Sequence, residues 1–159
     1  MSLPCRSPGS HDGRELELML AGAKPAAMFC DRASDGPGIA RAAAAFAPHV
    51  AAGRVVEHRS DHRRPDGRVA QHRVVYTLPG EEWRAAALHA LHERLYAGRG
   101  AWSPGCDAEV SLLLGYSGEE ARRHVEGRLR SGARGWGWRW RRRRRVPRVA
   151  RPVTDLAER

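Results

Sequence analysis

Hydrophobic residues in the middle of the chain fall in two segments that are separated by a run of polar residues. The segments are residues 54–59 and 68–78, and Pro65-Asp66-Gly67 lies between them. Proline fixes φ and glycine permits a positive φ, so this tripeptide favours a tight turn. The pattern predicts a β-hairpin, and the short apolar run at residues 26–30 predicts one further strand.

Helical periodicity surrounds the hairpin on both sides. Residues 14–21 read as a short helix, although their alternation leaves a strand open as an alternative. An alanine-rich helix is expected over residues 39–46, and Pro48 should end it and open another turn. Three more helices are expected: from Pro79 to about Ala97, over residues 107–114, and from a capping box at residues 117–120 through about Arg130.

The helix after Pro79 carries one apolar stripe at 100° per residue, and this stripe should pack on the hairpin. Its members are Trp83, Ala87, Leu88, Leu91 and Leu95. The prediction is therefore an α+β domain of two layers, in which an antiparallel hairpin and a short strand are covered by helices. Residues 14–127 form this domain, between a disordered N-terminus (1–13) and a disordered, basic C-terminal tail (128–159).

Charge is distributed very unevenly along the chain, whose formal net charge is +10. Residues 128–151 contain eleven arginines and no acidic residue, whereas the other 17 basic residues are balanced by 18 acidic ones. Lys24 is the only lysine, Ile39 the only isoleucine, and asparagine is absent. This composition is typical of a bacterial genome rich in G and C, so the preference for arginine over lysine is not by itself functional.

The tail combines arginine with tryptophan at a spacing of two. In an extended chain the indoles project to one side and can stack on bases, while guanidinium groups bind phosphates. The predicted nucleic-acid-binding residues are Trp136, Trp138, Arg139, Trp140, Arg141, Arg142, Arg143, Arg144 and Arg145. Two alternatives remain open: contact with an anionic membrane surface, and a low-complexity or frame-shifted segment without a specific role.

Histidines form the second group of candidate residues. His89 and His92 are three residues apart on the predicted helix, a spacing that can ligate a metal, but solvent-facing histidines are the ordinary explanation. If Val56 and Val74 both face inward, His58 and His72 face inward too. Neither order of the zinc-protease motif occurs, so we predict no metal site and no cofactor, with these four histidines as the only metal candidates.

Three cysteines without a Cys-x-x-Cys pair argue against a disulfide framework. No apolar run is long enough to cross a bilayer or to form a signal-peptide core, so we expect a cytoplasmic protein. The sequence predicts a non-enzymatic binding protein whose tail contacts nucleic acid without strong sequence specificity. One alternative is a regulatory or inhibitory protein that binds a protein partner through its body, and another is a metal-dependent hydrolase that uses the histidines.

Overall fold

The computed structural model describes residue 11 and residues 13–32, 38–63, 66–96 and 103–130. Within these residues the chain forms five helices and three strands. In chain order they are α1 (Glu15–Leu20), β1 (Ala26–Arg32), α2 (Gly38–Ala51), β2 (Val56–Arg63), β3 (Val69–Thr77), α3 (Trp83–Tyr96), α4 (Pro104–Leu113) and α5 (Gly118–Arg130).

The three strands form one antiparallel sheet in the order β1-β3-β2. The predicted hairpin and the predicted short strand are therefore confirmed. Val75 at the centre of β3 pairs with Met28 of β1 and with His58 of β2. Because β1 and β2 both run antiparallel to β3, they run parallel to each other, and α2 connects them across the sheet.

Helices cover both faces of this sheet. On the first, which we call the α2 face, Ala27, Val74 and Tyr76 pack with Phe46 of α2 and Met19 of α1. The second is the α3 face, where a separate apolar cluster joins strand residues to α3 and to the end of α4: Ala26, Met28, Val75, Ala85, Leu88, Leu114 and Tyr116. The α+β class is confirmed, and the predicted pair of layers is extended by a second helical layer.

Helix α2 runs through Pro48, which we expected to end it. A proline in the last turn has no N–H to donate to the carbonyl four residues earlier, at Ala44, and its ring crowds that carbonyl. Ala44 is exposed, so water can solvate its carbonyl, and the helix continues to Ala51.

Side-chain caps set the starts of the last two helices. Ser117 and Glu120 form the predicted capping box: the Glu120 N–H donates to Ser117 Oγ at 3.2 Å and the Ser117 N–H donates to Glu120 Oε2 at 2.9 Å. Helix α4 begins at Pro104, three residues before the predicted start, because Ser103 Oγ accepts the Cys106 N–H at 3.3 Å.

The only lysine of the chain is fully buried where α4 meets the start of β1. Lys24 Nζ donates to the Leu114 carbonyl at 3.0 Å and lies 4.0 Å from the centre of the Tyr116 ring. A cation at the carboxyl end of a helix is stabilised by the helix dipole, and the aromatic face adds a cation–π contact. Lys24 thus attaches α4 to the sheet.

None of the helices in the described parts of the chain is both long and apolar enough to span a membrane.

Gly115 lies at the same junction and allows two backbone segments to approach closely. Its φ is +85°, and a Cβ built there would lie 2.1 Å from Pro25 Cδ. We expect Gly115→Ala to lower the free energy of unfolding by about 3 kcal/mol, because left-handed backbone strain and steric overlap add together. Urea unfolding measures this loss.

Gly80 provides the matched control, since its φ is +88° but a Cβ there meets nothing within 4 Å. Gly80→Ala should cost only the strain, about 1 kcal/mol. Equal losses in the two variants would show that Pro25 does not restrict position 115.

Candidate functional site

A single arginine occupies the middle of the α3 face. Arg73 lies in the central strand with Cys30 of β1 and Ser60 of β2 directly opposite in the register. Its side chain is only 2% exposed, and its one hydrogen bond in the described structure runs from Nη2 to Gln71 Oε1 at 3.4 Å. Nε and Nη1 have no acceptor among the described residues. A permanently charged group is thus buried with few partners.

Helix α3 places two imidazoles above Arg73. His92 is 2% exposed and His89 is partly buried. Ser60 Oγ lies 2.9 Å from His89 Nδ1, which joins the helix to the strand beside Arg73. We call Arg73, Ser60, His89 and His92 the cationic cluster.

Burial sets the charge of these imidazoles. It lowers the pKa of His92 to about 3, with the positive charge of Arg73 as the second cause and that of His89 as the third. The pKa of His89 is lowered by burial first, and then by Arg73 and His58. Both rings are neutral near pH 7, so Arg73 supplies the single fixed charge of the cluster.

Two further histidines of β2 flank the cluster on the same face. His58 Nε2 lies 3.1 Å from Thr77 Oγ1. His62 Nδ1 lies 3.5 Å from Glu93 Oε1, a contact that becomes an ion pair only when the ring is protonated. Guanidinium, imidazole and hydroxyl groups from three elements therefore converge on one region, and such a set of donors attracts anions.

The structure separates His72 from the other candidate histidines. The register pairs Val56 with Thr77, so Val56 and Val74 face opposite sides and the condition for His58 and His72 to cluster is not met. His72 lies on the α2 side, where its Nδ1 is 2.8 Å from Asp61 Oδ1. Within the described residues no group of three or more His, Cys, Asp or Glu side chains could hold a metal ion.

The expectation that His92 faces solvent is wrong, whereas His89 is partly buried. Helix α3 is turned so that Leu88 and His92 lie against the sheet, whereas Trp83 at its start is 55% exposed and outside the predicted contact. The side chain of Leu95 lies outside the described structure. The contact of Ser60 Oγ with His89 Nδ1 at 2.9 Å is consistent with this orientation of the helix.

Sequence reasoning missed Arg73 altogether. A charged residue in a strand is usually assigned to the solvent side by the period of two. The signal that could have revealed it is the run Val74-Val75-Tyr76 beside it, because successive apolar residues indicate a strand that is covered on both faces. In such a strand an arginine has no solvent side.

The tail residues predicted to bind nucleic acid, Trp136 to Arg145, lie outside the described residues. The first residues of the predicted tail belong to α5 instead. Arg128 Nη1 lies 3.2 Å from Asp107 Oδ1, and Arg130 Nη2 lies 3.7 Å from Glu126 Oε2. The segment in which arginines outnumber acidic residues therefore begins after residue 130.

Comparisons of the chain with protein-family models, curated proteins and solved structures return no match. The functional argument therefore rests on the residues of this chain alone.

The burial of His92 makes stability depend on pH. Its folded pKa lies below the ordinary value of 6.5, so its contribution is complete above pH 6.5 and is lost as pH falls toward about 3. Between about pH 6.5 and 5, His92 should lower the free energy of unfolding by up to about 1.4 kcal/mol per pH unit. Urea unfolding of the protein and of His92→Leu over this range checks this.

His92→Leu should remove part of the pH dependence, and the remainder should come from His11 and His89, whose pKa values are also lowered. His72→Leu is the control, because that ring is half exposed on the other side of the sheet. A His92→Leu profile parallel to that of the unmodified protein contradicts the assignment.

Proposed function

We propose that this chain is a non-enzymatic binding protein whose basic tail contacts nucleic acid without strong sequence specificity. The observation that carries this proposal is the separation of charge. Residues 131–159 contain ten arginines and two acidic residues, and the tryptophans of the chain are concentrated in the same segment. The proposal places the protein in the cytoplasm, where such polyanions occur.

The charges of the folded body also favour contact through the tail over contact through the body. Its exposed arginines are largely engaged with carboxylates of the body itself, several of them on the same helix. The pairs are Arg14–Glu17, Arg59–Glu57, Arg94–Glu109, Arg122–Glu126 and Arg123–Glu119. A polyanion therefore gains most by approaching the segment whose arginines have no acidic neighbours in sequence.

The mechanism is electrostatic with an aromatic component. Guanidinium groups at Arg139 and Arg141–Arg145 neutralise phosphates and release counterions, which makes the affinity sensitive to salt. Indoles at Trp136, Trp138 and Trp140 stack on unpaired bases of any sequence, which favours single-stranded regions. Neither contact distinguishes one base from another.

Salt dependence tests the role of the arginine run. With single-stranded RNA or DNA, replacing Arg141–Arg145 by glutamine should reduce the magnitude of the slope of log K against log salt concentration by about 3.5, since each of the five phosphate contacts contributes about 0.7. Fluorescence anisotropy of a labelled oligonucleotide at several salt concentrations measures the slope.

The body offers a control with the same change in net charge. Replacing the five exposed arginines Arg14, Arg59, Arg94, Arg122 and Arg123 by glutamine should leave the slope nearly unchanged. If the magnitude of the slope falls equally in both variants, net charge alone determines binding and the tail has no special role. If the intact chain ignores oligonucleotides even at low salt, the proposal fails.

A second function, contact with a protein partner through the body, is favoured by an exposed apolar patch. Trp83 is 55% exposed and Leu112 is 50% exposed. Arg84 joins them: its guanidinium carbon lies 4.6 Å from the centre of the Trp83 ring, and its Nη1 donates to the Leu112 carbonyl at 3.2 Å. Exposed tryptophan beside arginine is typical of interface hot spots.

Substitution in this patch distinguishes the second function from the first. A protein partner captured by the intact chain should be retained by the glutamine variant of Arg141–Arg145 and lost by Trp83→Ser, because only the latter removes the apolar contact. Leu129→Ser is the control, since Leu129 is 64% exposed on α5 outside the patch. Retention of the partner by Trp83→Ser contradicts this function.

A further inference from the structure

Arg73 carries a charge that the described protein does not neutralise. Burying a guanidinium costs several kcal/mol unless a counter-charge and hydrogen bonds compensate for it. Three of its five N–H groups are on Nε and Nη1, for which the described residues provide no acceptor. The side chain is more than nine-tenths buried, so bulk water does not substitute for a partner.

The described carboxylates of the sheet and of α3 are engaged away from Arg73. On the sheet, Glu57 and Asp61 belong to the α2 side by their register, and Asp31 accepts the Ile39 N–H of α2 at 2.7 Å. Glu93 of α3 is 54% exposed and contacts His62. The described ion pairs include none with Arg73, so the counter-charge must come from outside these residues.

Apart from the acceptor Gln71 Oε1, the side chains around Arg73 can donate hydrogen bonds, since a neutral imidazole carries one N–H and gains a second on protonation. Ser60 and His89 are partly buried, whereas Arg73 and His92 are each only 2% exposed. His58 and His62 add two more imidazoles on the β2 side, and Cys30 faces Arg73 from β1.

We propose that the cationic cluster binds a small tetrahedral oxyanion of the phosphate type. Guanidinium N–H groups of Arg73 hold the anion, and His89, His92 and Ser60 donate to its other oxygens. Donors from three elements suit a tetrahedral group better than a planar carboxylate, which presents only two oxygens. A polynucleotide backbone cannot reach a side chain that is 2% exposed, so this site is separate from the proposed tail contact.

Protonation should be coupled to this binding. A bound anion opposes the effects of burial and of Arg73 on the two rings, and therefore raises the pKa of His89 and His92. The other titratable groups facing the site are His58, His62 and the Cys30 thiol, and Glu93 lies at its edge in contact with His62. Sulfate remains a dianion over this pH range, so its affinity should increase as pH falls from 8 to 6.

Thermal unfolding of the full chain in phosphate tests the proposal. At constant ionic strength set with chloride, phosphate should raise Tm in proportion to the logarithm of its concentration once the dissociation constant is exceeded, by about 4 °C at ten times that constant. A general salting effect acts through exclusion of the ion from the whole protein surface, so it does not depend on a single arginine. Glycerol phosphate distinguishes a phosphorylated metabolite from inorganic phosphate as the natural ligand. If this monoester raises Tm as much as inorganic phosphate does, the ligand is a phosphorylated metabolite. If inorganic phosphate raises Tm more, the ligand is phosphate itself.

Substitutions at Arg73 test whether the response of Tm to phosphate comes from this site. Arg73→Met should abolish the phosphate-dependent rise in Tm and should unfold at the same or a higher temperature than the unmodified protein in chloride, because it removes a buried charge. Arg73→Lys keeps the charge without the planar fork and should weaken phosphate binding at least tenfold. The control Arg59→Met removes an exposed, ion-paired arginine of the other face and should leave the response unchanged.

Loss of the phosphate-dependent rise in Tm in Arg73→Met, with retention of that rise in Arg59→Met, supports the site. No rise in the unmodified protein at constant ionic strength, or an equal rise in Arg73→Met, overturns it. If Arg73→Met does not fold, Arg73→Lys provides the same decision through the dissociation constant fitted to its Tm values. The glutamine variant of Arg141–Arg145 should keep the phosphate response, so failure of the tail proposal and failure of this one are distinguishable.

Discussion

Complete burial of the central strand is the constraint on which the rest of the structure depends. Residues 73–77 of β3 are buried on both faces, because strands flank them on either side and helices lie above and below. A three-stranded sheet whose middle strand has no solvent side needs two helical layers. Every polar side chain in that segment must then find its partners inside the protein or bring a ligand there.

The two faces meet this requirement differently. On the α2 face the ring of Tyr76 stacks on Phe46, with centres 4.0 Å apart, and its hydroxyl donates to Glu57 Oε2 at 2.9 Å. Burial and this bond raise the pKa of Tyr76, so the hydroxyl stays protonated and continues to donate to Glu57. The α3 face instead holds Arg73 without an equivalent acceptor. Both faces carry an apolar cluster, but the α3 face also holds N–H groups of Arg73 for which the described residues provide no acceptor.

Local signals predicted most of the fold. Pro65-Asp66-Gly67 indicated the hairpin and Ser117 with Glu120 indicated the start of α5, because turns and caps depend on neighbouring residues only. Which face a strand residue occupies depends on register and on what covers the sheet, neither of which is local. For that reason the parity assumed for His72, the orientation of His92 and the role of Arg73 could not be derived from the sequence.

The burial of Lys24 has a consequence for chemical labelling and for enzymatic modification of the protein. It is the only lysine in the sequence and its side chain is fully buried between Leu114 and Tyr116. Reagents that acylate ε-amines, and enzymes that acetylate or ubiquitinate lysine, find no accessible side chain in the native protein. Reactivity of Lys24 toward an amine label would therefore report opening of the junction between α4 and the sheet, without interference from any other lysine.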